Sequence, residues 1–175
     1  MVKITEPRPV QLMVGAIFAD RDLLDPLKRE MVEHIGAIDA TSPVFTFDMT
    51  DYYEDEMGSD LKRIFYAFSD LMDPARIVEV KLVADRIEQA FALAGGRRVN
   101  LDPGYMDFYK LVLVSNKYLG HKIYLGKGVY ADPTLYYDKG WKPYDWGFPD
   151  FKSGRYDEFL TAVRKEYKAK MRAGA

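Results

Sequence analysis

A run of ten residues, 10–19, constrains what this chain can fold into more than any other feature of its sequence. The run reads VQLMVGAIFA and is almost wholly apolar and rich in strand-forming residues. A strand with one wet face alternates polar and apolar residues, so this unbroken run predicts a central strand buried on both faces. We expect it to be the first strand of the fold.

Composition limits the class of protein. The chain has 175 residues, of which 48% are apolar and 30% charged, and this predicts one globular domain over residues 1–175. With 25 Lys and Arg against 27 Asp and Glu, the net charge is −2, so no basic field attracts phosphates and nucleic-acid binding is disfavoured. The chain has no cysteine, which excludes disulfides and thiolate metal sites.

The N-terminal residues carry prolines and charges of both signs, unlike a secretory signal. The longest apolar runs fall well short of the roughly 20 residues that a membrane span requires. We therefore expect no membrane segment and, by default, a cytoplasmic location.

Two amphipathic helices are predicted in the first half of the chain. The first has its N-cap at Asp22 or Asp25 and continues at helical spacing to Gly36. The second begins at Asp73, an N-cap followed by proline, and its apolar residues share one helical face. Residues 78–82 also alternate like a strand, so that alternative stays open.

The glycine pair Gly95-Gly96 is expected to end the second helix. A third helix is predicted at the C-terminus, on an apolar stripe formed by Tyr156, Leu160, Val163, Tyr167 and Met171. A solvated surface is the favoured explanation of its basic face, formed by Arg164, Lys165, Lys168, Lys170 and Arg172.

Alternation and turn residues predict the remaining strands, at residues 43–48, 61–69 and 97–102, and as a hairpin of 121–125 with 129–137. The pair Pro103-Gly104 would follow the fourth strand with a type II turn. Residues 107–115 fit either a strand or a short helix. Loops are predicted between the second and third strands and over residues 139–154.

The resulting order, βαββαβ, predicts an α+β domain with a ferredoxin-like core. Such a core has a mainly antiparallel sheet with two helices on one face. Here it would be extended by the β-hairpin and the C-terminal helix. This architecture hosts many activities, so it predicts no function by itself.

The strongest functional signal surrounds the end of the fourth strand, where Arg97, Arg98, Asn100 and Asp102 follow one another closely. Binding sites are often built at strand ends, because the sheet positions side chains and the turn leaves room for a ligand. A turn capped by its own Asn and Asp side chains explains the same residues. Both interpretations stay open.

The predicted hairpin contributes three more candidates. His121 suits acid/base chemistry if a carboxylate such as Asp102 orients it, although a lone histidine beside apolar residues is more often part of a core. Lys122 follows it, and Lys127 lies between two glycines whose N–H groups would suit a phosphate. The Walker A spacing is not met, because position 128 is glycine, and a tight hairpin turn is the favoured explanation of Lys127.

An acidic cluster lies before the third strand, at Asp48, Asp51, Glu54, Asp55 and Glu56. Carboxylates of this kind are ligands for hard cations. The order of ligands in an EF-hand is missing, so a solvated acidic loop is favoured.

Four segments carry a family resemblance: FDMTDYYEDEMG from Phe47, RRVNLDPGY from Arg97, HKIYLGKGVYA from His121 and WGFPD from Trp146. Together they resemble an uncharacterised bacterial and archaeal family, domain of unknown function 4416, over nearly the whole chain. Some members carry a GTP-binding label, which implies a nucleotide ligand. Neither a Walker A nor an Asn-Lys-x-Asp guanine motif is present, since residues 116–119 read NKYL.

The leading functional hypothesis is a protein or enzyme for a small anionic metabolite, such as a nucleotide or other phosphorylated compound. Asp102 and His121 would supply acid/base chemistry or hold a divalent metal. Asn100 would orient the anion, and the cations that would hold it are Arg97, Arg98, Lys122 and Lys127.

The alternative is a non-catalytic RNA-binding or protein-interaction module. Ferredoxin-like RNA binders stack bases on sheet aromatics, and the candidates here are Phe65, Tyr66, Phe68 and Tyr124. No segment matches the RNP1 pattern that such modules carry. The sequence leaves the oligomeric state open.

Overall fold

The computed structural model describes residues 2–94 and 96–174. Strand β1 (Val10–Phe18) is buried along its whole length, as the apolar run predicts. It pairs antiparallel with β4 (Lys62–Met72) on one side and with β5 (Val99–Met106) on the other. The first predicted strand is therefore confirmed as a central one.

The described residues form one nine-stranded sheet in which every pairing is antiparallel. Its main order is β2-β4-β1-β5-β6-β8-β7. The further strands are β2 (Ile38–Thr41), β3 (Phe45–Thr46), β6 (Lys110–Ser115), β7 (Ile123–Gly126), β8 (Val129–Tyr137) and β9 (Trp141–Pro143). Strand β3 pairs with β4, and β9 pairs with β8. The mixed helix and strand content and the antiparallel sheet are as predicted.

Helices cover both faces of this sheet. Alternate residues of β1, such as Val14 and Ala16, pack against α1 (Leu24–His34) and α3 (Ile77–Phe91). On the opposite face, Met13 packs with Leu160 and Val163 of α5 (Asp157–Ala173) and with Phe151 of α4 (Pro149–Lys152). A further short helix, α2 (Glu54–Met57), lies in the predicted acidic loop. In the part of the chain that is described, no helix has the length and apolarity to cross a membrane.

The helix boundaries correct two predictions. The first helical segment is capped by Asp20, whose side chain accepts from the backbone N–H of Asp22, rather than by Asp22 or Asp25. Asp73 does cap the second segment, and residues 78–82 are helical, so their reading as a strand is wrong. The packing of one apolar face on the sheet decides in favour of the helix. Gly95 of the predicted stop lies outside the described residues.

The strand predictions were less accurate at short elements. Of residues 43–48 only Phe45–Thr46 is a strand, and β2 before it was not predicted. Residues 107–115 contain the strand β6, and the predicted loop 139–154 contains β9 and α4. Two- to four-residue strands carry too little alternation to be recognised.

The predicted type II turn at Pro103-Gly104 is wrong, because β5 continues through both residues. Gly104 is required for a different reason. A Cβ atom there would clash with the backbone oxygen of Val112, so glycine permits the close approach of β6.

The predicted hairpin of β7 and β8 is confirmed. Lys127 and Gly128 form its two-residue turn, with φ values of +52° and +77°. Positive φ at both positions is typical of the type I′ turn.

The basic face of α5 is only partly a solvated surface. Arg164 donates to the backbone oxygen of Phe108 and its guanidinium lies 3.5 Å from the ring centroid of Tyr137. Lys170 bonds Asp39 at 2.8 Å and the side chain of Gln11. These two cations fix α5 to the sheet, so the solvated interpretation is wrong for them.

Candidate functional site

The predicted site residues separate into two groups in the structure. Arg97, Arg98, Asn100 and Asp102 lie on β5 and the segment before it, whereas His121 and Lys122 lie just before β7. Strand β6 lies between β5 and β8, the strand to which the second group is bonded. The structure does not bring Asp102 and His121 into contact.

Asp102 instead binds Arg63, a residue of β4 that is almost fully buried. The Nη2 of Arg63 donates to Asp102 Oδ2 at 2.5 Å, and its Nη1 donates to Asp150 Oδ2 at 2.8 Å. Burial opposes the charged guanidinium, but attraction from Asp150 and Asp102 raises the pKa of Arg63 overall. The Tyr156 hydroxyl also donates to Asp150 Oδ2, at 2.9 Å.

Asn100 extends this buried network toward the surface. Its Nδ2 donates to Asp102 Oδ1 at 2.9 Å, and its Oδ1 accepts from Arg97 Nη1 at 2.9 Å. Arg97 also binds Glu56, with 2.7 Å between Nη2 and Oε2. A continuous chain of bonds therefore connects the half-exposed Arg97 to the buried Arg63.

Strands β5 and β6 separate beside this network. They pair from Gly104 onward, and before that point two side chains of α3 bond the backbone of Leu101 on the side that faces away from β1. Glu88 Oε1 accepts from the backbone N–H of Leu101 at 2.6 Å, and Lys81 Nζ donates to the Leu101 oxygen at 3.3 Å. Burial raises the pKa of Glu88, although the neighbouring Lys81 acts against this.

Arg97 and Arg98 line one cleft of about 330 Å³. Each guanidinium is held by a carboxylate of the cleft: Arg98 bonds Asp20 at 2.9 Å, and Arg97 bonds Glu56. Hydrogen bonding from Arg97 lowers the pKa of Glu56. The other lining residues are Ala19, Leu23, Met57, Leu93 and Gly96.

The second group is a compact ion pair with a histidine beside it. Lys122 Nζ lies 3.1 Å from Asp132 Oδ2, and both side chains are buried. His121 Nε2 lies 3.2 Å from the other oxygen of Asp132. The His121 ring stacks on Trp146 with centroids 5.2 Å apart, and Trp146 stacks on Tyr144. These contacts fix the start of β7 to β8.

Lys127 lies at the hairpin tip and is exposed, apart from both groups. Within residues 2–94 and 96–174, no three His, Asp or Glu side chains converge to hold a metal ion. In the acidic loop, Asp48 pairs with Arg155 at 2.9 Å and Glu56 with Arg97. Those two carboxylates therefore bind arginines of the chain itself.

Comparison with known families matches residues 8–167 to the family described as "Domain of unknown function (DUF4416)". The chain belongs to this family. The matched span contains every residue of the two groups of site residues described above. No curated protein and no solved structure matches the chain.

Several residues of the two groups were not predicted from the sequence. They are Arg63, Lys81, Glu88 and Asp150 in the first group and Asp132 in the second. Arg63 carried a usable signal, because it lies within the apolar strand segment 61–69 and a buried charge needs a partner. Lys81 and Glu88 lie seven residues apart on α3 and are both buried. Asp132 and Asp150 follow no pattern that would have separated them from surface carboxylates.

Proposed function

We propose that this protein binds a small anionic metabolite, a nucleotide or another phosphorylated compound, in the cleft that contains Arg97 and Arg98. One observation carries the proposal: two adjacent guanidinium groups line a single cleft of about 330 Å³. That volume is within the range of small-molecule sites. Arginine is suited to such a ligand because its planar fork can bind an oxyanion through two hydrogen bonds.

The ligand would displace the carboxylates of the cleft from the two arginines. Asp20 and Glu56 bind the two guanidiniums, and both acids are exposed. A phosphate group would take over these hydrogen bonds. The apolar side chains of Leu23, Met57 and Leu93 would contact the uncharged part of the ligand.

The buried network serves as support for Arg97. Arg97 Nη1 donates a hydrogen bond to Asn100. Asn100 in turn donates to Asp102, which also accepts from Arg63. A guanidinium already fixed on one side loses less freedom when it binds an anion. Of the ligand-binding residues predicted from the sequence, the proposed site uses Arg97, Arg98 and Asn100. No reaction is assigned to the site.

The proposal extends to the fold. Strands β2, β4, β1 and β5, with α1 and α3, would form a ferredoxin-like core to which β6–β9 and α5 are added. The neighbour order β2-β4-β1-β5, with antiparallel pairs throughout, supports this assignment. A crystal structure with another strand order would contradict it.

A thermal-shift screen with inorganic phosphate, pyrophosphate and nucleoside mono- and diphosphates tests the binding proposal. A ligand at a hundred times its dissociation constant should stabilise the fold by about 2.7 kcal/mol. Arg98→Ala should abolish the shift, because it removes one of the two guanidiniums without breaking the buried network. Arg86→Ala, at an exposed position on α3, is the matched control and should keep it. No stabilisation of the wild type, or an undiminished shift in Arg98→Ala, would contradict the proposal.

A further inference from the structure

We propose that β7 is an interface at which two copies of this chain pair antiparallel, joining their sheets into one. Strand β7 is the last in the main strand order, and within the described residues it pairs with β8 alone. The backbone N–H and C=O groups on its outer side therefore have no strand partner there. An open edge of this kind is a template for pairing with another chain.

Two other edge strands of the sheet, β9 and β2, carry residues that block such pairing. Strand β9, which lies beside the far half of β8, has Lys142, bonded to Asp138, and Pro143. Strand β2 at the opposite edge has Asp39, which is bonded to Lys170. Charges and prolines are the common protection of edge strands, whereas β7 reads IYLG and has neither.

An apolar patch surrounds the open edge. Its side chains are between 39% and 68% exposed and belong to Tyr118, Leu119, Ile123, Tyr124 and Leu125. Tyr118 and Tyr124 both pack on the ring of Tyr130, with centroids 5.7 Å and 5.1 Å away. Tyr118 of the loop and Tyr124 of the strand therefore share one surface, whereas Ile123 and Leu125 lie on the other face of β7.

The area of this patch suits a weak dimer. Aromatic side chains bury about 150–250 Å² each, so at 68% and 60% exposure the two tyrosines present roughly 190–320 Å² per copy. With the three aliphatic side chains included, a two-fold pairing would bury less than about 1,200 Å² in total, the size of a weak interface, and the backbone hydrogen bonds of the paired strands would add to its stability. Surface patches of this size on a monomer are often functional.

A second copy fits this edge because the strand is complementary to itself. Antiparallel pairing about Tyr124 brings only uncharged residues of β7 together, and it places the two Lys127 turns at opposite ends, where they do not repel. The strand is also held in shape before pairing. The type I′ turn fixes one end, and the buried Lys122–Asp132 ion pair fixes the other.

Sedimentation velocity over low to high micromolar protein tests the proposal. The wild type should have the mass of two chains, and Tyr124→Lys the mass of one, because a lysine on the edge opposes pairing. Tyr109→Lys is the matched control, since Tyr109 is 67% exposed and Tyr124 60%, and Tyr109 lies outside the patch. The control should remain dimeric.

Amide hydrogen exchange provides a second measurement that needs no variant. The outward N–H groups of β7 should exchange more slowly as the wild-type concentration rises, while those of β9 should not change. A wild type that is monomeric throughout the range would overturn the proposal. So would a dimeric Tyr124→Lys, a monomeric Tyr109→Lys, or exchange at β7 that is independent of concentration.

Discussion

Arg63 shows at the scale of single residues what sequence reasoning can and cannot reach. A charge in the middle of an apolar strand indicates a buried ion pair, so the need for a partner follows from the sequence. Which residues supply that partner does not follow, because Asp102 and Asp150 lie 39 and 87 positions away along the chain. Only the fold brings them to the same guanidinium.

Removal of one of the two acids that bind Arg63 should destabilise the fold strongly. Asp150→Ala leaves part of the buried Arg63 charge without its partner, and loss of one member of a buried pair costs about 3–5 kcal/mol of unfolding free energy. Asp138→Ala breaks the exposed pair with Lys142 and should cost much less, because water and salt screen exposed ion pairs. Urea denaturation of both variants measures the difference. Equal losses of unfolding free energy in the two variants would show that burial of the Arg63–Asp150 pair makes no difference to its contribution.

Glu88 should make stability depend on pH. Burial raises its pKa in the folded state, so its contribution to stability is fully present below its unfolded pKa and is lost as pH rises through the raised folded value. Glu88→Gln cannot titrate but can still accept from the Leu101 N–H. The unfolding free energy of the wild type minus that of Glu88→Gln should therefore fall as pH rises through this window. A difference that is constant with pH would contradict the assigned shift.

At the scale of elements, long patterned segments were predicted well. The apolar run became β1, and the capped, amphipathic segment after Asp73 became α3. Prediction failed where one residue type occurs for two different structural reasons, as glycine does in turns and at close approaches of two strands. Pro103-Gly104 has the composition of a turn, but Gly104 is small because β6 passes close to it, and that approach depends on tertiary structure.

Gly104→Ala tests this explanation. A Cβ atom would clash with the Val112 backbone oxygen and lie 3.1 Å from the Leu113 Cα, so the β6 backbone must move. Overpacking of this kind costs about 1–3 kcal/mol. Gly120→Ala is the control, because no atom lies within 4 Å of its added Cβ. Chemical denaturation should show a large loss for the first variant and little change for the second.

At the scale of the whole molecule, the sheet order decides which predicted site residues can act together. The position of β6 between β5 and β8 separates Asp102 from His121, and no sequence pattern specified that position. The adjacent pair Arg97 and Arg98 was predicted as an anion site and does share a cleft. Their carboxylate partners, Asp20 and Glu56, come from other segments and could not be anticipated.

Ligand binding in the arginine cleft is tested most directly by a titration of ¹⁵N-labelled protein with pyrophosphate and with a nucleoside diphosphate, observed at the arginine Nε–Hε resonances. Arginine-to-lysine variants assign the signals. Saturable shifts of Arg97 and Arg98, with Arg86 unchanged, are expected because the ligand replaces the carboxylates that bind the first two. Unchanged Arg97 and Arg98 signals at the highest concentration of both ligands would contradict it, as would shifts confined to the hairpin around Lys127.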